Sequence, residues 1–342
     1  MPLLSIIIPT YNRLKSLQMA LAALGRQTYP HAELEIIVVS DGSTDGTDDY
    51  LRQAAHTMGI TPIFQPNGGV ATARNHGLQV ASGEWILFID DDVVAAPNLV
   101  AEHIATQRRN NNDAIVLGPL LIPPDVTLSP WVRWEQLMLN KQYDDMIAGH
   151  WVPTARQFYT GNVSLRHEHL QQAGGFDPAF RRAEDVELGY RLAAMGLHFV
   201  FNPQAEAYHY AERSFQSWLQ TPYTYGRNDV IFTHQKGQTW LLPQILSEYH
   251  HRKLPIRALA HLCLDRSRVS NVAVNALRGV ADGAYFMHLD ALVRMAYSGI
   301  FNLRHYQGIA DELGGRKAFF SAAHKSHSSA SVNERSTMRV NS

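Results

Sequence analysis

Three short runs dense in Ile, Leu and Val constrain this chain most: "LLSIII" (3–8), "LEIIVV" (34–39) and "WILFI" (85–89). Each is apolar at consecutive positions, so the strand it predicts is buried on both faces. Helical patterns lie between them. "SLQMALAALGRQ" (16–27) repeats apolar residues at Leu17, Ala20, Leu21 and Leu24, and "GGVATARNHGLQVASG" (68–83) opens on two glycines. "ITPIFQ" (60–65) reads as an edge strand, because Pro62 has no N–H for a central ladder. The alternation predicts an α/β fold, with a mostly parallel sheet covered by helices.

Polar clusters follow these strands at one end: Thr10–Arg13 after the first, Ser40–Thr44 after the second and Asp90–Asp92 after "WILFI". Ligands bind beyond the carboxyl ends of strands in open parallel sheets. Residues 1–120 are therefore read as a nucleotide-binding half.

Residues 114–210 mix strands ("AIVLGPLLI", "FYTGNVSLR", "LHFVFN", "AEAYHY") with helices ("WVRWEQLMLNKQY", "EDVELGYRLAAMG"). From about 211 the pattern is helical, and the Ser-rich, weakly apolar end, residues 321–342, is expected to be disordered. A length of 342 residues allows two domains or one large one, and 45% apolar against 18% charged residues suits a globular protein with a large core. The formal net charge of −1 gives no global attraction to nucleic acid. With Cys263 alone there is no intrachain disulfide, which fits a reducing compartment. The start, "MPLLSIIIPTYNR", lacks a basic leader region, and no window approaches the roughly 18 apolar residues of a membrane span. The expectation is a cytoplasmic protein, with peripheral contact at the inner face of the plasma membrane left open.

The chemistry is concentrated in "DDDVV". Side chains alternate along a strand, so Asp90 and Asp92 are expected on one side and Asp91 on the other. Two such carboxylates suit Mg²⁺ or Mn²⁺, whose remaining positions go to phosphate oxygens and water. The plainer alternative, a cap for the helix at "PNLVAEHIATQ", explains one aspartate and not three. "SDGSTDGT" (40–47) imitates the start of an EF-hand loop, but Arg52 stands where the bidentate glutamate is needed, so calcium is rejected. Asp41, at the strand tip, is placed to accept from a nucleobase or ribose. "NGGVATARN" (67–75) sets backbone N–H groups and Arg74 at a helix start, where an anion is favoured. "AEDVELGYRL" (183–192) opens a helix with Glu184, Asp185 and Glu187, either as dipole matching or as a base kept ionised by the helix end. His209 in "AYHY", and Asn162 and Arg166 in "TGNVSLR", are ordinary by themselves.

In order, "SIIIPTYNR", "EIIVVSDGSTDGT", "NGGVATARNHGL", "GEWILFIDDDV", "GNVSLR", "GGFD" and "EDVELGYRL" resemble the motifs of the family 2 glycosyltransferases, over roughly residues 3–210. The resemblance implies a GT-A fold, with a Rossmann-like, mostly parallel sheet flanked by helices. The organisation expected is a GT-A domain over 1–210 (nucleotide half 1–120, acceptor and catalytic half 121–210), a helical C-terminal extension over 211–320 and the tail. The likeness also implies that Pro9, Thr10, Tyr11, Arg13, Asp41, Arg74, Asp90 and Asp91 line a nucleotide site. Asp90 and Asp92 match the DxD pair, with Asp92 the direct metal ligand and His209 a further metal contact. Asp185 matches the catalytic base, and Asn162 and Glu184 fall near the sugar. Donors of the UDP-, GDP- or dTDP-sugar type and a saccharide or lipid-linked acceptor follow from the family, as does a role in polysaccharide or glycoconjugate synthesis. No QxxRW motif or membrane helix is present, so single addition is expected in place of processive synthesis, and a single base at Asp185 acting on the face opposite the leaving group implies inversion.

Two other readings compete. The apolar run before "DDDVV" loosely fits the first motif of haloacid dehalogenase phosphatases, although that motif normally follows a domain's first strand. A non-catalytic nucleotide-sugar binder would need no base at Asp185.

Overall fold

The computed structural model describes residues 2–110, 113–211 and 213–326. The chain divides into two compact units, residues 1–128 with 136–211, and residues 129–135 with 212–342.

The first unit begins with β1 (Leu4–Thr10), α1 (Leu14–Leu24), β2 (Leu34–Asp41), α2 (Thr47–Met58), β3 (Thr61–Gln65), α3 (Val70–Val80), β4 (Trp85–Ile89), β5 (Val93–Ala95) and α4 (Leu99–Arg109). It continues through β6 (Ala114–Leu117), β7 (Leu120–Leu121), α5 (Pro130–Ile147, of which residues up to 135 count with the second unit), β8 (Asn162–Arg166), α6 (His167–Gln172), α7 (Glu184–Ala194), β9 (His198–Phe201) and β10 (Ala207–His209). The seven-stranded sheet runs β3-β2-β1-β4-β8-β6-β9. Only β8 is antiparallel to its neighbours, β4 and β6. Double-sided burial is the reason for the apolar runs: every residue of β1 and of β4 is buried. β3, with Pro62, is at the edge as its sequence requires. Helix α3 lies so close to β1 that a Cβ on Gly77 would meet Ile7 Cγ2 at 2.6 Å.

"AIVLGPLLI" is not the single strand its composition suggests. It breaks at Gly118, where a Cβ would meet Ala205 O and Asn162 Nδ2 at 2.3 Å. The chain leaves the main sheet there, and β7 joins a second, three-stranded sheet in the order β5-β10-β7. In that sheet Val93 pairs antiparallel with His209, and Tyr210 N donates to Asp92 O at 2.9 Å. This register sets His209 beside the last of the three aspartates.

The second unit is helical: α8 (Phe215–Gln235), α9 (Leu241–His251), α10 (Leu254–Cys263), α11 (Ser267–Phe286) and α12 (Asp290–Leu313). Its core gathers Trp218, Tyr297, Trp134 and Phe215. Helices α8 and α12 cross at Gly226 and Gly308, where a Cβ would fall 2.1 Å from His305 O and 1.9 Å from Tyr223 O. Residues 316–326 form a further helix that buries Phe319 and Ala323. The expected tail is therefore ordered over 321–326, because these two apolar residues find a core, while 327–342 lie outside the described residues. No described helix is long and apolar enough to cross a membrane.

Candidate active site

The loops after β1, β2 and β4 meet beyond the carboxyl ends of the strands. Asn12, in a left-handed conformation (φ 52°), pins two of them. Its backbone N–H donates to Ser43 Oγ at 3.1 Å and its Oδ1 accepts from Thr44 N at 2.7 Å. Asp45 accepts from Leu14 N at 3.0 Å and so caps α1 from the neighbouring loop. Neither residue stood out in the sequence as a site residue. The signal was an Asn at a tight turn, a residue that tolerates this backbone.

The three aspartates separate differently from simple alternation. Strand β4 ends at Ile89, so Asp90 and its neighbours lie in a turn and the two-residue repeat no longer applies. Asp91 and Asp92 share one guanidinium: Arg13 Nη1 lies 3.1 Å from Asp91 Oδ1 and 2.5 Å from Asp92 Oδ2. Thr10 Oγ1 donates to Asp91 Oδ2 at 2.7 Å. Burial pushes the Asp91 carboxyl up to about 6 against the pull of Arg13 and Thr10. Burial also acts on Asp92, but His209, 3.4 Å away, and Arg13 outweigh it and hold that carboxyl at about 2.

Asp90 turns instead to Arg74, whose Nη2 donates to Asp90 Oδ1 at 2.7 Å while its Nη1 donates to Glu184 Oε1 at 2.7 Å. Arg74 is buried and lies over the Phe176 ring, 5.4 Å from its centroid. A guanidinium holding two carboxylates in the interior has little left for a phosphate. Asp185, next in sequence, is partly exposed at the first turn of α7, where its Oδ1 accepts from its neighbour Val186 N at 2.8 Å. The expected ionising effect of the helix end loses to burial and the Glu184 charge, which together push Asp185 up to about 7 in spite of Arg74. Ala183, just before α7, has φ 60°, a left-handed backbone in a residue that gains nothing from it.

The glycine turn before α3 already holds an anion, and it is Asp41. Its Oδ1 accepts from Gly68 N and from Gln65 Nε2, both at 2.7 Å, and its Oδ2 from Gly69 N at 2.8 Å. The N–H groups expected to be free for a ligand are thus occupied. Pro9 and Thr10 are buried at the end of β1, whereas Tyr11 is half exposed beside them. Asn162 is buried, and its amide is committed to Pro119 O, Ala205 O and His103. We leave it out of the site.

Asp92 and His209 offer one oxygen and one nitrogen donor side by side. Among the described residues no three of His, Cys, Asp and Glu converge on a metal position. The pair fits a cation that takes its other ligands from phosphate and water, as Mg²⁺ and Mn²⁺ do in phosphate sites. Asp90, engaged by Arg74, is not part of that pair.

The sequence profile described as "Glycosyl transferase family 2" matches residues 5–172. Residues 5–172 belong to glycosyltransferase family 2. It is 35% identical over 222 residues to validoxylamine A glucosyltransferase of Streptomyces hygroscopicus subsp. jinggangensis, covering 57% of this chain and 52% of that one. It is 30% identical over 246 residues to the glycosyltransferase YfnE of Bacillus subtilis, covering 57% and 61%. The chain thus spans roughly half to three-fifths of the length of these two relatives. The mannosyltransferase PcManGT from Pyrobaculum calidifontis, solved with GDP-Man and Mn²⁺, superimposes with a TM-score of 0.54 at 19% identity, covering 95% of this chain and 87% of that one. That likeness shows the GT-A fold. The phosphatase reading gains no support. β4 is the fourth strand in the chain, and Asp90, its nucleophile in that reading, is held by Arg74.

Proposed function

We propose that this family 2 protein transfers a sugar from a nucleoside diphosphate sugar to an acceptor hydroxyl with inversion. The observation that carries the reading is the double grip of Arg74, at 2.7 Å, on Asp90 and Glu184. It sets the acidic turn after β4 and the first turn of α7 one guanidinium apart. A diphosphate end and a base end at that spacing leave room for an anomeric carbon between them.

Asp185 is the base. In its ionised form it takes the acceptor's hydroxyl proton as the oxygen bonds to the anomeric carbon and the carbon–phosphate oxygen bond breaks on the opposite face. The nucleoside diphosphate carries the bonding electrons away. A divalent cation held by Asp92 and His209 would neutralise charge on that diphosphate. Arg13, 47% exposed at its side chain, is free to swing from the aspartates toward the same phosphates. Glu184 and Arg74 position α7, and the Glu184 charge helps burial hold Asp185 at about 7 against Arg74. Tyr11 flanks the nucleoside. A relative named for glucosyl transfer and a GT-A neighbour solved with GDP-Man and Mn²⁺ support a nucleotide-sugar donor and Mg²⁺ or Mn²⁺. We place the reaction in a reducing compartment, consistent with the lone buried thiol of Cys263.

Donor hydrolysis in the absence of acceptor tests this. UDP-, GDP- and dTDP-sugars are incubated with Mn²⁺ or with chelator, and nucleoside diphosphate is measured. At least one donor should release it only with the metal. Release from none of them, or equal release under chelation, contradicts the reading.

A further inference from the structure

The near-neutral total charge conceals a polarity between the two units. Residues 2–128 with 136–211 hold thirteen Lys and Arg against twenty-one Asp and Glu, a net of −8. Residues 129–135 with 213–326 hold fifteen against eight, a net of +7. Large apolar side chains face water in both units, among them Val152 in the first, and in the helical unit they gather on and beside α11. Phe286 is 85% exposed, Leu254 75%, Val272 69% and Met287 61%.

On α11 these residues form a pattern. Ser270, Val274, Ala281 and Ala284 are buried in the unit. The opposite face carries Val269, Val272, Ala276, Val280 and Phe286, all exposed, at the three- and four-residue steps of one helical stripe about 27 Å long. Gly279 and Gly283 interrupt it, and a Cβ on either would meet nothing within 4 Å. This contrasts with Gly226 and Gly308, which a close helix crossing requires. Among the described residues nothing covers the stripe. It ends in the turn Phe286–Leu289, where His288 takes a left-handed backbone (φ 56°) and Met287 and Leu289 are exposed. The exposed charges on and beside α11 are basic in excess: Arg252, Lys253, Arg266, Arg268 and Arg294 against Asp265, Asp282 and Asp290.

We propose that the helical unit docks on an anionic lipid surface, with the outer face of α11 and the Phe286–Leu289 turn seated among the acyl chains and the surrounding arginines at the headgroups. An apolar stripe rimmed by Lys and Arg is the pattern of helices that lie in a membrane interface. A second copy docking by the same face is the poorer partner, since it would bring two +7 units together. Docking of this kind lies beyond the sugar-transfer reading and stands or falls without it.

Flotation of the full chain with phosphatidylcholine vesicles, with and without phosphatidylglycerol, tests the proposal. The protein should float with the anionic vesicles, far less with the neutral ones, and lose binding at high salt. Joint Phe286→Ser and Met287→Ser substitution, at exposed positions that leave the fold intact, should cut partitioning at least about tenfold. Light scattering on the same samples reads self-association. Absence of flotation, equal binding to neutral vesicles, or unchanged binding of the double variant overturns the proposal. So does a wild-type dimer that the same substitutions disperse.

Discussion

Arg74 and Glu184, 110 positions apart in the chain, meet at 2.7 Å in the interior. With Asp90 on its other nitrogen, Arg74 fixes the end of β4 against the start of α7. Arg74→Met would leave a buried carboxylate uncompensated, and the loss in stability should be about 3–5 kcal/mol, read by urea denaturation. A loss within experimental error would mean that the clamp is ornamental.

Asp185 sits near neutrality because burial and the Glu184 charge push it up. Sugar transfer, which needs its ionised form, should rise by one proton's slope through about pH 7. Glu184→Gln removes the like charge and leaves Arg74 to Asp90 and Asp185, so the midpoint of the rate profile should move to lower pH. A midpoint that stays put, or moves up, contradicts the assignment.

The same shifts bear on stability, with opposite signs. Asp91 and Asp185 are raised above their ordinary 3.8. What they contribute is fully present below that value and lost as pH rises through about 6 and about 7 respectively. Asp92 is depressed, so its contribution is present above 3.8 and lost as pH falls through about 2. Asp185→Asn should therefore raise Tm by a few degrees above neutrality and leave it unchanged below pH 3.8. An equal gain at both ends would show that the carboxylate charge is not the cause.

Arg13 is the cation that Asp91 and Asp92 share. In Arg13→Ala those carboxylates face each other unscreened, and an added divalent ion gains more by binding there. The Tm increase on adding Mn²⁺, in the absence of nucleotide, should be larger in the variant than in the wild type. An equal or smaller increase counts against a cation position at Asp92 and His209.

Strands β1, β2 and β4 were legible because burial on both sides demands unbroken Ile and Val, and the edge position of β3 because Pro62 rules out a central one. The polar ends were legible for the same reason, since the apolar runs stop there. What the one-dimensional pattern does not carry is which partner each polar group finds. Asp41 and the Gly68–Gly69 turn each looked like half of a ligand site, yet they bind each other. The pairing of His209 with Asp92 depends on the short β5–β10 register, set by a strand of three residues too brief for a pattern to show. The break in "AIVLGPLLI" likewise comes from a crowding at Gly118 that only the folded chain reveals.

The most direct measurement compares wild type with Asp185→Asn in two assays on one donor, nucleotide-sugar affinity by calorimetry and single-turnover transfer to acceptor. The variant should bind the donor within about twofold of wild type and transfer at least about a hundredfold more slowly, as loss of a general base requires. Transfer at the wild-type rate would remove Asp185 from the chemistry and, with it, the account of how this site moves a sugar.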